Sequence, residues 1–542
     1  MSSKIDRRCF LSRTTVAAGA IMGGGFGTSF AAPSTGDSTG PVVETTTGKV
    51  RGTMEDKVCA FRGIPYGAST AGPGRFRPPQ KPQPWTGVKE TVELGHRSPQ
   101  AASGLIPEVA AVDVKEPSGE DCLVLNVWTP SATPGHKRPV MVWLHGGGFT
   151  SGSGGFKIYD GVNLAGRHDV VVVTVNHRLN AFGYLYMADL GGAKYADASN
   201  AGMLDIVAAL QWVHDNISNF GGDAGNVTIF GQSGGGAKVS TLLAMPSAQG
   251  LFHRAVIESG ASLRGISRDA ANKSTEAFLA KVGLKRNRID ELRTMPVERI
   301  VAALAGGGPA GAPGLRFGPV VDGKTLPANP FDPTAPEISA SVPLLIGSTQ
   351  TEVTFFAGQQ LDPIDEAMAR ERVQRTFRAS DADTDKIIAA YKKVDPRISN
   401  IDLYLESASD NFAWTNALTA AERKSALGKA PVYMYYFKWR SPVRDGKLKA
   451  MHCMEIPFVF DNPDAGKPMT GSGQDRYALA HKISGAWVAF ARSGNPSQKG
   501  LAWPAYDTTK RATMILDDQC EVVDDPRKEI RFALASLPPR LG

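Results

Sequence analysis

Val227-Thr228-Ile229-Phe230-Gly231-Gln232-Ser233-Gly234-Gly235 runs from an apolar, β-branched stretch straight into a glycine-rich turn. Four such residues, followed by glycine, suit a strand buried on both faces. A helix is expected to begin near Gly236. A serine between a strand and a helix sits on a sharp, strained turn. Its hydroxyl stands above the carboxyl edge of the sheet, and the flanking glycines keep a Cβ from striking the neighbouring strand and helix. Gly231-Gln232-Ser233-Gly234-Gly235 alone is a weak pattern, and a plain strand-to-helix turn would match it too. The strand before it and the helix after it make Ser233 a candidate nucleophile.

Upstream, Val140-Met141-Val142-Trp143-Leu144 and Val170-Val171-Val172-Val173-Thr174-Val175 are further apolar runs bounded by turn residues. Between the second run and Val227, Ile206, Leu210, Val213 and Ile217 recur at steps of four, three and four, which predicts one face of a helix. Phe220-Gly221-Gly222 stops it. Downstream, Ala255-Val256-Ile257, Leu344-Leu345-Ile346 and Val432-Tyr433-Met434-Tyr435-Tyr436-Phe437 read as strands, and Tyr477 to Arg492 as a helix closed by Gly494 and Pro496. Strands alternating with helices predict an α/β fold around a large, mostly parallel sheet. Residues 41–87 read as short strands and Gly/Pro turns, 96–119 as a loop, and Ala305 to Gly314 as a glycine-rich excursion. There is no internal repeat. The catalytic signals are spread along most of the chain and must meet at one point, so a single large domain is expected rather than several.

His145-Gly146-Gly147-Gly148-Phe149 follows the 140–144 run. Consecutive glycines let backbone N–H groups turn toward one point. Gly147, Gly148 and Gly234 are the candidate donors to an oxyanion. A phosphate-cradling loop would end in Lys-Ser/Thr, which this one lacks. His145 reads as an anchor for the loop rather than a base. The triad order on this kind of fold is serine, acid, histidine. Only His452 and His481 lie far enough along the chain. His481 falls within the predicted 477–492 helix, whereas His452 follows the 432–437 strand in a loop, and is the candidate base. For the acid, Glu352 follows strand 344–346 and Asp322 follows Pro319-Val320-Val321. The residues themselves leave both open.

The full set of motifs resembles the type-B carboxylesterases, the group that includes the cholinesterases, over about Val50 to Tyr506. Phe220-Gly221-Gly222 through Gly235 is similar to the family's serine signature. Glu120-Asp121-Cys122-Leu123-Val124-Leu125-Asn126-Val127-Trp128 resembles its second signature, with Val124 where an aromatic residue or Thr is usual. Phe61-Arg62-Gly63-Ile64-Pro65-Tyr66 is similar to its early strand-and-turn motif. The resemblance implies an α/β-hydrolase fold and ester hydrolysis through a covalent acyl-enzyme, without cofactor or metal. It also implies that Glu352, after Gly347-Ser348-Thr349-Gln350-Thr351, is the acid, and that Ser259 supports acid and histidine from behind. Family members often bond the cysteine at the position of Cys122 to one upstream. That position falls on Ser98 here, so the bond is not expected. The residue before the nucleophile is usually Glu and is Gln232 here, and 99–121 has no Trp to hold a quaternary ammonium. Both departures argue against choline esters. Two other functions fit the same fold: a binding or adhesion module, which typically loses triad residues, and a hydrolase of amides, lactones or thioesters.

Composition narrows the rest. With 42% hydrophobic and 21% charged residues, the 542-residue chain is ordinary globular protein. Its formal charge of +7 includes +3 from Lys4, Arg7, Arg8 and Arg13 against Asp6. No charge run suggests nucleic-acid binding. Arg7-Arg8-Cys9-Phe10-Leu11, a Gly/Ala-rich apolar stretch from Thr14 to Phe30, and Ser29-Phe30-Ala31 read as a twin-arginine export signal, residues 1–31. A membrane anchor suits it less, because glycines interrupt a short stretch. The expectation is a single exported domain over 32–542, periplasmic or secreted, acting on small-molecule esters and not held in a membrane after the signal is removed. Cys59, Cys122, Cys453 and Cys520 have no zinc-site spacing.

Overall fold

The computed structural model describes residues 40–102, 104–305, 314–357 and 361–537. The expected export signal and residues 306–313 of the glycine-rich excursion lie outside the described residues.

The β-branched runs become the strands of an eleven-stranded sheet. The strands of the protein, in chain order, are β1 (Val42–Thr45), β2 (Gly48–Arg51), β3 (Thr53–Glu55), β4 (Val58–Pro65), β5 (Val88–Glu90), β6 (Val124–Thr129), β7 (Arg138–Leu144), β8 (Val171–Val175), β9 (Gly222–Gln232), β10 (Arg254–Glu258), β11 (Leu344–Thr349), β12 (Val432–Phe437), β13 (Ala512–Leu516) and β14 (Glu521–Asp524). The large sheet has the order β14-β13-β12-β11-β10-β9-β7-β8-β6-β4-β3, and β1, β2 and β5 form a small separate sheet. From β8 to β13 every pairing is parallel. Antiparallel strands flank this block on both sides. This is the α/β-hydrolase fold.

All seven residues of β7 are buried. Val140, Val142 and Leu144 join one apolar cluster while Met141 and Trp143 join another on the opposite face. That alternation is why the central strands read as unbroken apolar runs: both faces are covered. Helix α1 (Ala201–Asn216) lays Met203, Ile206, Leu210 and Val213 on the first face. Helix α2 (Gly234–Leu242) follows the serine, and α3 (Asp475–Ser493) covers the other face with Leu479, Ile483, Trp487 and Phe490. The expected helix near Gly236 starts two residues earlier, at Gly234, directly after the turn. Cys59, Cys122, Cys453 and Cys520 are unpaired. No helix among the described residues is long and apolar enough to cross a membrane.

Parallel strands end in register, so the segments leaving them crowd along one edge. Leu144 pairs with Gly231, Gln232 with Glu258, and Glu258 with Gly347. The loops that follow β7, β9, β10, β11 and β12 carry His145, Ser233, Ser259, Glu352 and His452 respectively.

Candidate active site

Ser233 has φ 59° and ψ −125°, a backbone region that costs a non-glycine residue on the order of 1–3 kcal/mol. Its surroundings hold it there. Its N–H donates to the carbonyl of Glu258 at 2.8 Å. A Cβ on Gly235 would lie 1.9 Å from the carbonyl oxygen of Leu144, so α2 can approach β7 this closely only with glycine at that position. The strained turn lifts Ser233 to a half-buried position lining two cavities.

The loop after β7 takes positive φ at Gly147 (85°) and Gly148 (63°), conformations that L side chains rarely adopt. A Cβ placed on Gly234 would come within 2.5 Å of the Gly148 nitrogen, so the start of α2 and this loop are in direct contact. Among the described residues, the N–H groups of Gly147, Gly148 and Gly234 have no backbone acceptor. Three donors without acceptors, side by side and next to a serine, are free to bind an anion.

The candidate acid and the candidate base are in contact. The loop after β11 is stitched to the loop after β12: Gln350 N–H donates to Phe437 C=O at 2.9 Å and Thr351 N–H to Ala450 C=O at 3.1 Å. Glu352, fully buried, accepts the N–H of Thr349 on Oε1 at 2.8 Å and the imidazole Nδ1 of His452 on Oε2. A carboxylate on Nδ1 places the ring's single proton there, leaving Nε2 as the free base. The side-chain nitrogen of Gln232 lies 3.2 Å from Nδ1 and 3.3 Å from Nε2. The two ring lone-pair directions diverge, so an atom equidistant from both lies along neither and sits over the ring. The Cys453 thiol fixes that amide by donating to Gln232 Oε1 at 3.2 Å.

The structure therefore brings Ser233, Glu352, His452, Gly147, Gly148 and Gly234 to one place. Asp322 is elsewhere. Its carboxylate accepts Lys324 N–H, Leu326 N–H and the Asn200 side-chain amide, a turn-capping role. His481 lies on α3 with a half-exposed ring beside Arg167 and Asp461. His145 is buried, its Nδ1 2.8 Å from the Gly146 carbonyl oxygen, its ring stacked on His177 at 4.9 Å. Burial, helped by the charge of Lys238, keeps it well below the usual imidazole range. The Ser259 hydroxyl donates to Glu455 at 3.2 Å.

Sequence reading does not single out several neighbours. Phe355, Phe356 and Phe412 surround the His452 ring with centroids at 5.5–5.6 Å. Phe356 and Phe412 remain 57% and 42% exposed, unusual for rings that also touch a buried histidine. Glu258 and Glu455 are fully buried, and burial pushes both carboxyls upward, Glu258 to about 8. No pattern of alternation or spacing marks these residues, because their partners lie on other segments. Among the described residues no group of three or more His, Cys, Asp or Glu is arranged to hold a metal ion.

The larger of the two cavities that Ser233 lines, about 420 Å³, is also lined by His452 and the Gly147–Gly148 turn together with Leu105, Val109, Phe156, Tyr159, Phe355 and Phe356. A second, of about 330 Å³, is lined by Ser233 with Gly234, Leu263 and Phe412 and not by His452.

Comparison with known proteins matches this architecture. The model of the carboxylesterase family matches residues 39–533. The para-nitrobenzyl esterase of Bacillus subtilis is 38% identical over 501 residues, covering 91% of this chain and 98% of that protein. The phenmedipham hydrolase of Pseudarthrobacter oxydans is 32% identical over 513 residues, covering 92% and 100%. The crystal structure of a Geobacillus stearothermophilus carboxylesterase superposes with a TM-score of 0.78 at 37% identity, covering 91% of this chain and 99% of that one.

Proposed function

The chain belongs to the carboxylesterase family and is a serine carboxylic-ester hydrolase, and from that premise we propose that Ser233, His452 and Glu352 carry the reaction, with Gly147, Gly148 and Gly234 as its oxyanion hole. One observation carries this assignment: the imidazole bonded to Glu352 and the strained serine line a single cavity with the donor-rich glycine turn. His452 Nε2 takes the Ser233 proton as Oγ attacks the ester carbonyl. The carbonyl oxygen becomes an oxyanion held by the three N–H groups. His452 then gives its proton to the departing alcohol, leaving an acyl group on Ser233. Water, deprotonated by the same nitrogen, attacks the acyl carbon and releases the acid. Glu352 holds the tautomer and stabilises the imidazolium.

The chemistry also assigns the two cavities. The departing alcohol needs the His452 proton, so it belongs in the 420 Å³ cavity that His452 lines, and the acyl group belongs in the 330 Å³ one. Leu105, Val109, Phe156, Tyr159 and Phe355 favour small-molecule esters with an apolar or aromatic alcohol portion. The para-nitrobenzyl ester named for the Bacillus relative is of that type.

The test is Ser233→Ala. Turnover of a para-nitrophenyl ester falls by at least ~10⁴-fold with the melting temperature retained; residual activity above a tenth of the parent overturns the assignment. Export by the twin-arginine route, with removal of 1–31 and a single hydrolase domain over 32–542, rests on Arg7-Arg8 and the apolar stretch behind it. Replacing both arginines with lysine should retain the protein in the cytoplasm on fractionation.

A further inference from the structure

Lys238 lies in the second turn of α2, five residues after Ser233, and is completely buried. Its ammonium donates to the carbonyl oxygens of His145 and Gly148, each at 2.9 Å. Those are the carbonyls at the two ends of the 145–148 turn, in which the Gly147 and Gly148 N–H groups have no backbone acceptor among the described residues. The ammonium also lies 5.4 Å from the centroid of the Phe149 ring, the next residue of the same loop. No carboxylate forms an ion pair with it among the described residues. His145 and His177 feel its charge, and burial first, then that charge, pushes both well below the usual imidazole range. Arg178, near His177, is committed to Asp205.

An ammonium buried without a counter-ion is unfavourable, and desolvation lowers Lys238 to about 7. Peptide carbonyls offset that only in part. The ester reaction, however, creates one negative charge in this neighbourhood, the oxyanion. The protonated form of Lys238 stabilises such a charge most when it forms, and adds little to the binding of a neutral ester. The two carbonyl bonds do a second thing. They fix both ends of a turn whose glycines would otherwise let it relax, and so keep the Gly147 and Gly148 N–H groups aimed.

We propose that Lys238 is the positioning residue of the oxyanion hole: it clamps the 145–148 turn through its two end carbonyls and supplies the positive charge behind it. The inference rests on the reading of Gly147, Gly148 and Gly234 as that hole.

The test uses Lys238→Met, a neutral side chain of similar length, in the full enzyme. The expected result is that kcat falls at least ~30-fold while KM stays within about threefold, because the interaction is made mainly in the transition state. The affinity for an aryl trifluoromethyl ketone, which adds Ser233 Oγ to its carbonyl and leaves an oxyanion, should fall by a similar factor. The affinity for the matching unreactive alcohol should stay within threefold. A variant that melts earlier yet keeps kcat and ketone affinity overturns the proposal, since a merely structural lysine predicts that pattern. Should Lys238→Met not fold, Lys238→Gln answers the same question: it keeps a hydrogen-bond donor without the charge, and parent-like ketone affinity would overturn the proposal. Fluorine NMR of the parent separates the underlying reading. No hemiketal on Ser233 defeats the oxyanion-hole assignment itself; a normal hemiketal in the parent with unchanged affinity in the variant defeats only the role of Lys238.

Discussion

Replacing Glu352 by Gln is the sharpest probe of how the acid works. The carboxylate serves two donors with two oxygens: Oε1 takes the Thr349 N–H at 2.8 Å and Oε2 takes His452 Nδ1. Gln has nearly the same shape but only one acceptor. If its oxygen keeps the Thr349 bond, its NH₂ faces Nδ1, and that nitrogen must become an acceptor. The imidazole proton then moves to Nε2, the atom that must receive the serine proton. If the amide turns the other way, its NH₂ meets the Thr349 N–H in a buried site, costing about 1–3 kcal/mol. It also presents no charge to the imidazolium. The first orientation disables the base and the second leaves the imidazolium without its counter-charge, while the fold is kept; loss of tautomer control in a triad lowers turnover roughly 10⁴-fold, about 5 kcal/mol of transition-state stabilisation. By these arguments Glu352→Gln should lower kcat by roughly 10³–10⁴-fold, with KM within a few-fold, measured by steady-state hydrolysis of a para-nitrophenyl ester beside thermal melting. Asp322→Asn, at a carboxylate engaged in a turn, should change kcat less than about fivefold. A Glu352→Gln enzyme retaining a tenth of parental kcat, or an Asp322→Asn enzyme losing more than the Glu352 variant, would show that Glu352 is not the acid.

Two further predictions concern buried charge. Gln232→Glu puts a carboxylate where an amide now sits 3.2 Å from the His452 ring, so it favours the imidazolium. The acid limb of the kcat/KM profile should move to higher pH, and a profile that is unchanged or moves down rejects this placement. Glu258 has one oxygen bonded to the Trp487 indole at 2.8 Å and the other buried without a partner among the described residues, and burial raises its carboxyl from 4.5 to about 8. Between those values the folded chain holds more protons than the unfolded one, so this group's contribution to stability is present below about 4.5 and is lost as pH rises through about 8. Glu258→Gln stays neutral. Its stability relative to the parent should therefore rise between pH 5 and pH 9, by at most ~4 kcal/mol, in denaturant titrations, and a gap that shrinks with pH contradicts this placement of the carboxyl.

How much of this is legible in the sequence depends on whether a feature is local. The strands at 140–144, 171–175 and 432–437 stand out because a sheet covered on both faces needs continuous β-branched or aromatic runs, and that demand is met within each segment. Ser233 and the glycines of 146–148 are legible for a similar reason: a tight turn and close backbone approach leave their mark in glycine spacing. His452 follows from chain order. The acid does not, since Glu352 and Asp322 each follow an apolar strand-like segment and differ only in what they touch. Family resemblance points to Glu352, and only the hydrogen bonds of each carboxylate separate the two physically. The residue pattern puts the start of α2 two residues late, because nothing in a run of glycines says which one first takes helical angles. Lys238, Gln232 against Cys453, and the phenylalanines around His452 are not visible in the sequence as neighbours of the site. Each meets partners dozens to hundreds of residues away, and a charged residue one turn into a helix reads like any solvated one until the loop from β7 is laid across it.

Covalent labelling tests the nucleophile directly. Treat the purified protein with a fluorophosphonate, read the intact mass, and map the modified peptide. The account predicts one adduct per chain, carried by Ser233, with ester hydrolysis lost in proportion to labelling. An adduct on a different serine, or full hydrolytic activity after Ser233 has been completely modified, would contradict it.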